Sequence, residues 1–194
     1  FTAWVFGHYS WLTDFIGRQY VGFDVDGEPA AIRANAASGW IGGIEGFAEL
    51  RLPRGWALRG WISWTRGNLE LLSGTTGQLE ERPMRRVSPL QGYVAVRWAR
   101  AKMYWFQAGV RWSARQDRLS PGDRNDGRIC PDGGERCTGT PGFAVVTLAG
   151  GARIARHVDV VLRIENVADE PYKWHGSGVY SPGLSAVTEL RLFY

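Results

Sequence analysis

The chain has 194 residues, of which 44% are hydrophobic and 22% charged, a balance that suits one soluble domain and leaves several other classes open. Its net charge of +4 comes from 23 basic residues scattered without a run, which excludes the clustered basic face of a nucleic-acid binder. Ten Trp, seven Tyr and eight Phe stand beside 26 Gly with only two Cys and two Met, a mixture that favours short strands and turns over a helical core. No stretch approaches the roughly 20 apolar residues of a spanning helix, so any crossing of a membrane would be made by strands. The chain opens at Phe1 with no charged-then-apolar leader, the expectation for a mature or truncated piece.

Period-two alternation marks the predicted elements. The first runs from Thr2 to about Gln19. In the second, Ile44, Ala48, Leu50 and Leu52 alternate with Glu45, Glu49 and Arg51. Trp56, Leu58, Ile62 and Trp64 then alternate with Arg59, Ser63 and Thr65, and a weaker run from Gly92 to Trp98 sets Val94 and Val96 opposite Tyr93 and Arg97. Tyr104, Phe106, Ala108, Val110, Trp112 and Ala114 alternate with Gln107, Gly109, Arg111, Ser113 and Arg115, and a further run spans Phe143 to Ile154. Val158, Val160, Leu162 and Ile164 face away from Asp159, Arg163 and Glu165, with Val161 as the exception. The last run opposes Leu184, Ala186, Thr188, Leu190, Leu192 and Tyr194 to Ser185, Val187, Glu189, Arg191 and Phe193. The fold class is therefore all-β, with about eight antiparallel strands in an up-and-down meander.

The connections alternate in length. Pro53-Arg54-Gly55, the turn at Arg100 and the turn at Arg156 are tight, whereas Arg18 to Gly39, Arg66 to Val87, Asp117 to Gly142 and Asp169 to Gly183 are long and polar. Transmembrane barrels pair short periplasmic turns with long extracellular loops in this way, while a soluble sandwich has no reason to do so. Trp56 and Trp64 lie eight residues apart on one apolar face, as do Tyr104 and Trp112. Eight residues span about 26 Å, close to an apolar band of ~25 Å edged by aromatic girdles. Ordinary cross-strand aromatic pairing explains the parity but not the repeated spacing.

Chemistry is sparse. Cys130 and Cys137 are separated by six residues in a loop dense in Gly, Pro and Asp, without His or further Cys, which suits a disulfide better than zinc and favours an oxidising compartment; two free loop thiols are the alternative. His8, His157 and His175 are too scattered for a metal triad. His157 reads as a solvated turn residue, and the Gly150-Gly151 pair as a device for strand curvature. Asp123, Asn125, Asp126 and Asp132 do not match a calcium loop and read as a solvated segment. The Glu and Arg residues alternating on the polar faces form the mixed-charge wall expected of a barrel interior, rather than an acid/base pair. Neither a catalytic motif, a metal site nor a cofactor site is expected.

Asn166, Asp169, Tyr172, Gly176, Gly178, Pro182, Gly183 and the terminal Tyr194 punctuate the carboxy-terminal stretch. In that pattern it resembles the last hairpin of TonB-dependent outer-membrane receptors. Asp26-Gly27-Glu28-Pro29, Asn35-Ala36 and Trp40 to Glu45 resemble an earlier descending strand, and Arg86 to Leu90 the start of another. The resemblance implies that residues 1 to 194 are the carboxy-terminal portion of a barrel of about 22 strands, its plug domain and earlier strands lying elsewhere. It implies no enzyme but a receptor for energised uptake of a scarce nutrient such as an iron-siderophore, a cobalamin or a glycan. The implied partners are outer-membrane lipid, the plug, TonB and the small-molecule nutrient, in a Gram-negative outer membrane with long loops extracellular and the carboxy terminus periplasmic. Trp174, His175 and Tyr180 in the last long loop are the candidate ligand contacts, and Leu190, Leu192 and Tyr194 resemble the barrel-assembly signal. Two alternatives stand beside this reading: a complete eight-stranded barrel with a structural or adhesive role, and a secreted binding sandwich.

Overall fold

A computed structural model describes the chain apart from Gly27, Ala36, Ala37, residues 74–77, Lys102, Glu135 and Tyr194. Tyr194 of the assembly signal and Gly27 and Ala36 of the upstream pattern thus lie outside the described residues. The strands, in chain order, are β1 (Thr2–Thr13), β2 (Ile16–Val25), β3 (Glu28–Asn35), β4 (Ser38–Arg51), β5 (Trp56–Leu72), β6 (Leu79–Pro83), β7 (Gln91–Arg100), β8 (Tyr104–Ser113), β9 (Phe143–Ala155), β10 (Val158–Glu165) and β11 (Ser185–Leu192). One short helix, α1 (Pro121–Arg124), interrupts them.

Eight strands form a single antiparallel meander in the order β1, β4, β5, β7, β8, β9, β10, β11, matching the eight alternating runs. β6 pairs with the far end of β5, and β2 and β3 make a separate two-stranded ribbon. The first run ends earlier than its expected limit near Gln19. Asp14 adopts a positive φ of 52°, which Asp tolerates better than most residues, and the chain then starts β2 in the ribbon.

Register fixes the two faces. Leu50, Leu58, Val96, Ala108, Leu148, Ile164 and Ala186 pair across successive strands and share one face. Glu49, Arg59, Ala95, Gly109 and Thr147 share the other. No packed core covers the first face: Phe106 is 61% exposed, Leu190 60% and Leu192 68%. A continuous apolar face of this extent is what lipid, or another apolar surface, must cover. Its aromatic residues fall into two bands. Trp56, Trp98 and Tyr104 sit together beside the tight turns, with Trp98 and Tyr104 rings 5.7 Å apart. Tyr9, Trp11 and Trp40 cluster toward the long-loop end of their strands, where Trp64 and Trp112 also lie.

Among the described residues β1 pairs only with β4 and β11 only with β10. The eight strands therefore form one open sheet. This corrects both alternative architectures, because a small barrel would join β1 to β11 and a sandwich would stack a second sheet on the apolar face.

Antiparallel alternation places the turns after β4, β7 and β9 at one end and the long connections after β1, β5, β8 and β10 at the other. Gly150 and Gly151 leave room for the rings opposite them: a Cβ at Gly151 would meet the Trp105 Nε1, and one at Gly150 would stand 3.2 Å from the Phe106 ring.

Candidate functional site

The long-loop end carries the chain's densest side-chain chemistry. The loop between β8 and β9 opens with Ser120, whose hydroxyl accepts the Asp123 amide at 3.0 Å while the Asp123 carboxylate accepts the Ser120 amide at 3.1 Å. This reciprocal cap builds α1 and holds Asp123 at 1% exposure. From the loop between β6 and β7, the Arg86 amide donates to the same carboxylate at 3.2 Å.

Asp126 is the hub. Its Oδ2 accepts the Nη2 groups of Arg85, Arg86 and Arg128, each at 2.8 Å, and its Oδ1 accepts the Arg128 Nε at 2.8 Å. Three guanidiniums thus meet two buried carboxylates, Asp123 and Asp126, leaving one net positive charge on half-exposed arginines. Charge-assisted bonds of this kind are short and strong, and they tie two loops from different hairpins together. The expected solvated segment around Asp123 and Asp126 is accordingly a buried brace. Two of its cations, Arg85 and Arg86, lie some 40 residues away in sequence, out of reach of a reading by local spacing.

Cys130 and Cys137 are joined, with Cα atoms 5.1 Å apart, and Cys130 packs with Leu119 and Ile129 into a small apolar knot under the brace. Gln116 donates to the Val87 carbonyl at 2.7 Å, and Arg118 reaches the Gly67 carbonyl at 3.0 Å and the Asn68 side chain.

The last long loop closes over this assembly. Phe143 packs against Tyr172 at 4.4 Å and against Trp174 edge-on at 4.9 Å between ring centres. His175 Nδ1 lies 2.9 Å from the Thr140 hydroxyl. Burial holds the His175 imidazole below its ordinary pKa; Asp123 and Asp126 act against that shift and Arg86 acts with it. Lys173 donates to the Arg128 carbonyl at 2.7 Å and stands 5.8 Å over the ring of Tyr180, which is 66% exposed. Of the three candidate ligand contacts, Trp174 and His175 are thus half-buried, Trp174 against Phe143 at the start of β9 and His175 against Thr140 of the β8–β9 loop, while Tyr180 stands open to solvent.

Asn166, Asp169, Pro182 and Gly183 of the terminal pattern converge on one joint. Asn166, 1% exposed with φ 54°, donates to the Glu170 carbonyl at 2.9 Å and accepts the Glu170 amide at 3.0 Å. Asp169 accepts the Leu184 amide at 2.7 Å, and a Cβ on Gly183 would stand 2.2 Å from that same carboxylate oxygen. Across the sheet, sequence reasoning passed over a set of aromatics on the polar face: Trp4 stacks on Phe47 at 6.1 Å, Phe47 pairs with Trp61, and Arg97 lies 4.0 Å over Trp105. Counting parity outward from Glu45 and Arg59 would have found them. Among the described residues no group of three His, Cys, Asp or Glu side chains could hold a metal ion.

A family model for the TonB dependent receptor-like β-barrel matches residues 1–167. No curated protein matches the chain. Among solved structures, the copper transporter OprC is similar at 19% identity and a TM-score of 0.74, over 98% of this chain and 28% of that one. The ferric enterobactin receptor PfeA of Pseudomonas aeruginosa, in complex with enterobactin, aligns at 16% identity and a TM-score of 0.62 over 98% and 29%. The FrpB iron transporter of Neisseria meningitidis aligns at 15% and 0.62 over 97% and 28%. The chain spans less than a third of each of these proteins, and at such identity the likeness carries the fold. These neighbours are transporters and receptors rather than enzymes, and with the family match over most of its length the chain belongs to the TonB-dependent receptor-like β-barrel family of outer-membrane transport receptors.

Proposed function

We propose that residues 1–194 form the carboxy-terminal wall of a larger receptor barrel that takes up a scarce nutrient such as an iron-siderophore, a cobalamin or a glycan. Capture occurs at the braced loop end, which faces the exterior, while the tight turns and the carboxy terminus face the periplasm. The observation carrying this reading is the assembly of the β6–β7, β8–β9 and β10–β11 loops into one cross-linked surface at a single end of an open sheet. Support also comes from the two edges left for further strands and from the mixed-charge face suited to a lumen. A plug domain filling that lumen and TonB contacting the plug are the partners this role requires. Among the loop residues, Tyr180 and Lys173 are the ones placed to meet a ligand, with Trp174 and His175 holding their loop in position.

The test uses the intact receptor in a TonB-positive strain and its TonB-null derivative. Uptake of labelled ferric siderophores, cobalamin and oligosaccharides is measured in each. Energised uptake of one class, lowered severalfold by Tyr180→Ala together with Lys173→Ala, is expected. Uptake of none of them would overturn the reading. After reduction of intact cells, thiol labelling of Cys130 and Cys137 from the outside checks the orientation, and labelling from the periplasm alone would invert it.

A further inference from the structure

The apolar face is not uniform. Beside the tight turns a groove of about 850 Å³ runs across β5, β7, β8, β9 and β10. Its floor includes Ala108, Gly150 and Ala152, and Trp56, Trp98 and Phe106 stand along it as walls. The volume falls in the range of roughly 300–1,000 Å³ typical of sites for small molecules. The low floor follows from sequence, since neighbouring strands place Ala108, Leu148 and Ile164, or Phe106, Gly150 and Leu162, side by side.

All three tight turns at the groove's end carry an arginine: Arg54, Arg100 and Arg156. All three are exposed, and none forms an ion pair among the described residues. This sets them apart from Arg51, Arg153 and Arg191, whose carboxylate partners lie beside them on the polar face. The turn cations are also joined to the groove. Trp98 donates its indole N–H to the Arg54 carbonyl at 3.1 Å, and Arg100 pairs with Tyr104 on the apolar-face parity. No acidic residue has that parity in the strand segments flanking these turns.

We propose that this groove and its three turn arginines bind an anionic phospholipid of the membrane leaflet at the tight-turn end. Acyl chains lie in the groove over Ala108, Gly150 and Ala152, alongside the stacked Trp98 and Phe106 rings, and the phosphate and anionic headgroup rest among Arg54, Arg100 and Arg156. Charge complementarity selects this occupant. A second copy of the chain in a twofold contact would set three unneutralised arginines against three more, and a zwitterionic lipid would leave their net charge uncompensated. Juxtamembrane arginines near a lipid surface each favour anionic headgroups measurably. The inference rests on the proposed membrane position and orientation, in which that leaflet is the periplasmic one.

Native mass spectrometry of the intact receptor, purified in mild detergent and titrated with phosphatidylglycerol, phosphatidylethanolamine or lipid A, tests it. Phosphatidylglycerol should be retained at least tenfold better than the other two. Replacing all three arginines (Arg54→Ala, Arg100→Ala, Arg156→Ala) should weaken its retention by on the order of a hundredfold. Ala152→Trp, which fills the floor, should reduce retention of phosphatidylglycerol and phosphatidylethanolamine alike. Should Ala152→Trp fail to assemble, judged by heat-modifiable gel mobility, the arginine variant decides alone. Equal retention of phosphatidylglycerol and phosphatidylethanolamine, or an arginine variant that binds as the parent does, overturns the proposal. A preference for lipid A also overturns it, and points to the proposed orientation as the failing step. Absence of the receptor from outer-membrane fractions would instead refute the membrane reading itself.

Discussion

Asn166 shows how much one side chain holds at the loop end. Its carboxamide satisfies both backbone groups of Glu170, and its own backbone occupies a left-handed conformation that Asn accepts more readily than Ala. Asn166→Ala is therefore expected to cost about 2–4 kcal/mol from unpaired buried polar groups and backbone strain, read as a lowered temperature of heat modification. His175 gives a pH dependence. The folded loop favours the neutral imidazole, so the folded state binds fewer protons than the unfolded chain does. The loop is then most secure above the ordinary histidine pKa of about 6.5 and loosens as pH falls through that value toward the lowered one. Hydrogen exchange around Thr140 and His175 should accelerate, beyond the intrinsic rate change, on going from about pH 7.5 to about pH 5.5. Unchanged protection would mean that the ring is not held neutral by its surroundings. The terminal pattern of Asn166, Asp169 and Gly183 was legible in sequence because its parts act within one hairpin. The arginine brace on Asp126 was not, because its parts come from separate hairpins whose spacing only the fold determines.

At the scale of the element, alternation revealed the eight meander strands and hid their true lengths. β5 runs for 17 residues, about 56 Å at ~3.3 Å each, more than twice the ~25 Å apolar band. Its alternating part stops near Thr65, yet pairing continues through Leu72 to β4 and β6. Hydrogen bonding carries the strand onward where water replaces lipid, but with both faces wet the sequence no longer needs to alternate. The same reasoning explains why the ribbon of β2 and β3 went unread within a long polar connection. The facing of β11 has a direct test. Leu190 pairs with Val160 on the apolar face, and Val187 with Arg163 on the polar one. A charge facing lipid is disfavoured whereas one facing the lumen is tolerated, so Leu190→Arg should lower the barrel yield of the intact receptor more than Val187→Arg. Heat-modifiable mobility of outer-membrane fractions makes the comparison, and equal yields would show that the faces are wrongly assigned. Tyr194→Asp is expected to reduce insertion as well, as the resemblance of the last residue to the barrel-assembly signal implies.

For the whole molecule, the decisive feature is an open sheet with a long backbone edge at each side, β1 and β11. Unpaired edges are aggregation templates in water and are not tolerated in hydrocarbon. Residues 1–194 expressed alone should therefore need detergent and remain polydisperse, as judged by size exclusion with light scattering. A monodisperse, detergent-free monomer at high concentration would contradict the two edges and the lipid-facing surface together. Composition and periodicity made this architecture legible because a membrane wall repeats one simple rule on every strand. The specificity of the loop end follows no such rule, and it emerges only once the hairpins stand side by side.

The meander also has a consequence for how the wall is made. Each of the eight strands bonds to the one before it along the path, so the sheet can grow by successive closure of hairpins. Loop-closure entropy rises only slowly with the number of residues enclosed, and the longest connection between path partners here is the one between β8 and β9. Within the chain every pairing of the meander joins neighbours along this path, so the wall can form hairpin by hairpin. In the larger barrel proposed above, the β1 and β11 edges would pair with strands remote in sequence. Closure of that ring, rather than formation of this segment, is then the step expected to limit assembly.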